Sequence, residues 1–140
     1  MESWASVQYD GSVSLASAMA HSLTGEQTGS HVDSASLEGC VSDLMALTLE
    51  ASRAIGSGDY EVRAGLVWTG DNPLSFTTTA ESNSSSKWPA TTVARYSPVT
   101  MSVRTDVDDL AFGDQVVDFA EDMVNQGGVR KLVLLKRSSG

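Results

Sequence analysis

Asp114, Asp118 and Asp122 recur every four residues with Glu121 beside them, a spacing that stacks the carboxylates on one side of a helix. Such a face could hold a hard divalent cation, because those ions take several oxygen ligands from a compact site. The segment lacks the glycine-bent loop of alternating oxygen donors with which a calcium site wraps its ion, and a straight helix supplies only part of a coordination shell. The expectation is a solvated acidic face and no metal. Nucleophilic catalysis would need a base that is oriented by an acid and aimed at Ser or Cys. His21 and His31 are the two imidazoles of the chain, with Glu26 and Asp33 the acids nearest them. No Gly-x-Ser-x-Gly elbow occurs, and Ser84 with Lys87 matches Ser-x-x-Lys only inside a run of serines, without Ser-Asp-Asn or Lys-Thr-Gly. Cys40 falls beside the apolar stripe of a predicted helix, where cysteine serves as a small hydrophobe. No catalytic set emerges, and the expectation is a protein that is not an enzyme and carries no cofactor.

Charge is distributed by segment. Seven carboxylates and no basic residue fall between positions 106 and 122, whereas positions 129–140 carry Arg130, Lys131, Lys136 and Arg137 and no acid. Those four cations could meet the phosphates of a nucleic acid. No aromatic side chain is interleaved with them for base stacking, and a second use is equally physical: basic residues on a terminal strand discourage edge-to-edge aggregation. Gly127 and Gly128 precede a predicted strand rather than a helix, and neither Gly-x-x-x-x-Gly-Lys nor Gly-x-Gly-x-x-Gly is present, so no phosphate cradle is expected. Trp88 lies in a serine-rich stretch expected to be a loop. A large ring there either folds back onto the core or docks a partner.

The elements that must position these residues belong to one domain. A chain of 140 residues can bury roughly 68% of the surface its unfolded form exposes. At 41% hydrophobic and 19% charged it is too apolar for a disordered segment. A net charge of −9 repels nucleic acid at long range, leaving only a local basic patch for such a partner. With Cys40 the only cysteine, no intrachain disulfide can form, which suits a reducing compartment. The start Met1-Glu2-Ser3 lacks a basic, apolar leader, and the longest uncharged stretch, residues 11–25, is too polar for a membrane span. The expectation is a cytoplasmic protein with no membrane partner.

Ala5, Val7 and Tyr9, then Val13, Leu15 and Met19, alternate around Asp10-Gly11, the pattern of a hairpin over residues 3–20; a short helix over residues 12–23 is the alternative. Residues 21–34 read as a loop. Leu37, Val41, Leu44, Thr48, Ala51 and Ile55 form the stripe of a helix that Asp33, Ser34 or Ser36 could cap and that Gly56 and Gly58 end. Val62, Ala64, Leu66 and Trp68 predict a strand, as do Leu74, Phe76 and Thr78, and Val99, Met101 and Val103, with residues 80–89 an exposed loop. Asp106 is expected to cap a second helix, with Asp109 three residues on and Leu110, Val117, Ala120 and Val124 on its apolar side, flanked by Val116 and Met123. Val129 and residues 132–135 predict a closing strand apolar enough for both faces to be covered. The order β-β-α-β-β-β-α-β gives an α+β fold: a two-layer sandwich in which two amphipathic helices cover a mainly antiparallel sheet of five or six strands. Residues 138–140 read as a tail.

The strings DSASLEG (residues 33–39), DYEVRAGLVWTGDNPL (59–74), ARYSPV (94–99) and VNQGGV (124–129) resemble segments of the accessory region C-terminal to the Schlafen-type, AlbA-like ATP-binding domain of actinobacterial proteins. The resemblance implies an accessory module or a free-standing relative, and because ATP-binding features belong to the other domain it implies no site residue here. The expected function is a non-enzymatic accessory or protein-interaction domain, self-association included. The alternative is a nucleic-acid-associated regulator that uses the C-terminal basic strand.

Overall fold

Alternation at the start of the chain is realised as a hairpin: in the computed structural model β1 (Ser3–Val7) pairs antiparallel with β2 (Val13–Ser17), from Ser3↔Ser17 to Val7↔Val13. The structure describes residues 3–7, 12–17, 31–56, 58–68, 73–79 and 87–138. The expected Asp10-Gly11 turn and His21 lie outside these residues, and over residues 13–17 the strand, not the alternative helix, is found.

Part of the stretch read as a loop is a short strand, β3 (His31–Asp33), which runs directly into α1 (Ser34–Ile55). Asp33 occupies the N-cap position of α1 without bonding a backbone amide; its carboxylate instead accepts from the Ser36 hydroxyl at 3.2 Å. Leu37, Val41, Thr48 and Ala51 are buried as their spacing predicts. Met45 takes the centre of the stripe while Leu44 packs at its flank, and Ile55 is 52% exposed, because the helix outruns the core in its last turn. Thr48 and Ser52 lie on the buried side with their hydroxyls donated to the carbonyls of Leu44 (2.8 Å) and Leu49 (2.7 Å), which removes the penalty for burying them. Gly56, at φ 74°, ends the helix with its N–H on the Ser52 carbonyl at 2.8 Å, a left-handed conformation glycine adopts without steric cost.

β4 (Asp59–Ala64) pairs antiparallel with β7 (Val99–Arg104), from Asp59↔Arg104 to Ala64↔Val99. Leu66 and Trp68 continue the expected alternation past the end of this ladder. β5 (Leu74–Thr79) is central in a second sheet, parallel to β3 on one side and antiparallel to β6 (Lys87–Val93) on the other. Lys87, Trp88 and Pro89 therefore belong to a strand, where a loop was expected. Pro89 stands opposite Thr77 on the outer strand, beside a register shift between Phe76 and Thr77; an edge position at a bulge tolerates a residue with no N–H to give.

α2 (Asp109–Asn125) starts two residues later than expected. Arg104 binds Asp106 through Nε (3.1 Å) and Nη2 (2.9 Å), so the cap is Asp108, whose Oδ1 accepts from the Ala111 N–H at 2.8 Å. Val117, Ala120, Met123 and Val124 are buried, joined by Phe119, whereas Leu110 in the first turn is 62% exposed. Two glutamines fasten α2 to the backbone beside β7. Gln115 accepts from the Arg104 N–H and donates to its carbonyl, both at 2.8 Å; Gln126 does the same with Ser97 at 3.0 and 2.9 Å.

The class is α+β: among the described residues two helices pack with seven strands in antiparallel-dominated sheets, ordered β-β-β-α-β-β-β-β-α. The order is close to the expected one, with β3 and β6 added and residues 129–135 outside any ladder. The ladders form three sheets around one core centred on Phe76, Met45, Phe119 and Leu74. Behind Phe76 the turn after α2 runs so close that a Cβ at Gly127 would overlap the ring. Overpacking of this kind costs about 1–3 kcal/mol or more. Gly127→Ala is expected to lower the unfolding free energy measured in urea by that amount, and an unchanged value would show that the turn moves away freely.

Candidate functional site

Three places in this fold hold side chains that could recognise something. One is the C-terminal segment. Val129 is buried, Leu132 and Leu135 are half-buried, and Leu134 is 60% exposed. The segment does not extend a sheet because its amides are turned to a side chain: the N–H groups of Val133 (2.7 Å, to Oε2), Leu134 and Leu135 (2.9 Å each, to Oε1) all donate to Glu38. Glu38 is fully buried on α1. A buried carboxylate is tolerable when donors replace its lost water, and these backbone groups do so.

The four basic residues of the segment separate. Arg137 Nη2 bonds Asp118 Oδ1 (2.7 Å) and Glu121 Oε2 (3.2 Å) on α2, and the Asp118 bond, first among its causes, holds the guanidinium above its ordinary pKa. Arg130, Lys131 and Lys136 are exposed.

The second place is the acidic side of α2. Asp118 and Asp122 are exposed, and Asp114 and Glu121 are half-buried. Arg137 takes two of the four, so the face is partly neutralised from within the chain. Among the described residues no group of three or more His, Cys, Asp or Glu side chains is placed to hold a metal ion.

The third is a cleft of about 620 Å³ between α1, β2, the end of β4 and the run of residues 65–68 that follows it. Leu37, Val41, Leu44, Leu66, Leu74 and Met123 supply aliphatic lining, and Trp68 lines it as well. Its polar lining includes His31, Cys40 and Arg63. His31 Nε2 lies 3.0 Å from the Thr77 hydroxyl, which in turn reaches the Val32 carbonyl at 3.4 Å. His31 and Cys40 thus share one cavity, whose described lining residues include no carboxylate. Glu26 and Ser84 lie outside the described residues; Trp88 has its backbone in β6, and its side chain is not among those described. Arg63, Leu66 and Trp68 were readable as strand positions, but their meeting with α1 was not.

Comparison with protein-family models, with curated proteins and with solved structures finds no match to this chain. No helix of the described residues is long and apolar enough to cross a membrane.

Replacing Glu38 by Gln puts an amide N–H opposite backbone N–H donors. One unsatisfied buried group costs about 1–3 kcal/mol, so Glu38→Gln is expected to lose that much stability in urea and to make the C-terminal segment easier to cleave by protease; wild-type resistance in both assays would contradict the clamp.

Behind the cleft, the Tyr96 hydroxyl donates to the Met123 carbonyl at 2.5 Å, and its ring stacks on Phe76 with centroids 6.1 Å apart. Burial first, and the charge of Asp122 second, raise the phenol above its ordinary pKa of 10.0. The folded state therefore favours the neutral phenol, and this contribution is complete below pH about 10 and is lost as pH rises from there through the raised folded value. Tyr96→Phe is expected to cost about 1 kcal/mol at neutral pH and to flatten the alkaline fall in stability; equal falls in both proteins would exclude this assignment.

Proposed function

We propose that this protein is a non-enzymatic accessory domain that acts by protein contact, with a second copy of the chain as one such partner, and that it works in the cytoplasm. The observation that supports this most is Leu134: a large apolar side chain 60% exposed on a segment whose amides are fixed inward by Glu38. With the N–H groups of residues 133–135 committed, contact through this segment is by side chains and not by adding a strand. Arg130, Lys131 and Lys136 frame Leu134 in solvent, and the chain carries exposed acids elsewhere, Asp109 and Asp122 among them, so two copies present complementary charge. The resemblance to the accessory region of Schlafen-type, AlbA-like ATP-binding proteins agrees with such a role and adds no residue to it.

A nucleic-acid-associated regulator is the second reading, favoured by the same three exposed cations and weakened by the engagement of Arg137 with Asp118 and Glu121. Sedimentation velocity from micromolar to submillimolar protein separates the two. Self-association is expected in the wild type and about tenfold weaker, or 1.4 kcal/mol, in Leu134→Asp. A monomer throughout the range removes the self-association reading. Salt-dependent binding to a short duplex that is lost in the double variant Arg130→Glu, Lys131→Glu would replace it with the second.

A further inference from the structure

We infer that the cleft beside α1 is a binding site for a small organic acid with an apolar body, its carboxylate held by Arg63. The volume of about 620 Å³ lies within the range of pockets that enclose small molecules, which are typically apolar with a few polar groups that fix orientation. Leu44 and Leu66 offer aliphatic wall, and Trp68 adds an aromatic residue to the lining.

Charge selects the head group. The chain has 18 acidic residues against 9 basic, yet the described lining of the cleft contains Arg63 and no acid. Arg63 is exposed and, like Arg95 and Arg130, makes no hydrogen bond or ion pair with a described residue, whereas Arg53, Arg104 and Arg137 are paired with carboxylates; of the three without such a partner, Arg63 is the one that lines the cleft. An unmatched guanidinium on a residue that lines the cleft presents a fork that fits a carboxylate with two parallel bonds. An ammonium ligand would find no counter-charge among these groups, and a neutral one would leave the guanidinium unused.

The site is independent of the C-terminal segment and can fail without affecting the proposal made for it. The probes are naphthoate, naphthylmethanol and naphthylmethylammonium, which share one body and differ in charge, titrated calorimetrically into the full chain. Naphthoate is expected to bind about tenfold more tightly than the alcohol and the cation. Arg63→Gln, at a solvent-exposed position that the fold does not use, is expected to remove that tenfold preference while leaving the alcohol unchanged. Cys40 lines the same cleft and is the only thiol in the chain, so naphthoate is also expected to slow its alkylation by a maleimide severalfold. Equal binding of acid and alcohol would mark the cleft as a groove for an uncharged molecule or a protein segment and overturn the proposal. So would unchanged naphthoate affinity in Arg63→Gln, binding without protection of Cys40, or no binding at millimolar probe.

Discussion

An acid that has been removed from water must be met by donors, and Glu38 is met by three consecutive backbone amides from a segment 95 to 97 residues further along the chain. Much of the arrangement depends on that one carboxylate. It draws the C-terminal segment onto α1, turns its Val133 to Leu135 amides away from any sheet, and thereby sends Leu134 outward and Leu132 and Leu135 toward the core. The dependence is mutual. Without the segment the carboxylate would be left on an apolar face with nothing to replace its hydration, so the tie stabilises the acid as much as it fixes the segment.

Around this tie the fold is held by contacts that join the helices to strands at their ends. Gln115 and Gln126 imitate a neighbouring strand toward the backbones of Arg104 and Ser97, which bracket β7. The chain uses its polar side chains heavily in this way. Thr48 and Ser52 return their hydroxyls to α1, Arg104 holds Asp106, and Arg137 crosses to α2. Arg63, which lines the cleft, has no such partner among the described residues.

Local pattern was enough for α1, where spacing and the terminal Gly56 placed both the helix and its buried side, and for the strands over Val62, Phe76 and Val103. It failed where the deciding partner is distant. β3 is a strand because β5 lies beside it, and residues 31–33 alone contain no alternation that reveals this. Lys87 to Pro89 look like a loop until the bulge in β6 accommodates the proline. The apolar run at residues 132–135 suggests a closing strand, and the sign that it is not one lay in the other helix: Glu38 is an acid placed between Leu37 and Val41 on a stripe that should exclude charge. The basic cluster was readable as a cluster, but the pairing of Arg137 with Asp118 and Glu121 was not, since it depends on how the segment crosses α2. The cleft was not readable at all, being assembled from segments that meet only in the folded chain.

Phe76 and Thr77 are adjacent in β5 and both are buried, so this strand is covered on its two faces by different chemistry: a ring packed on Tyr96 on one, a hydroxyl beside His31 and the Val32 carbonyl on the other. A strand with one wet face can slide by two residues and keep its polarity. Here a shift by any odd step would press the ring against imidazole and carbonyl and bury the hydroxyl in hydrocarbon. The alignment of β5 with its parallel neighbour is therefore specified on both faces, and odd-step pairings are disfavoured by chemistry as well as by shape.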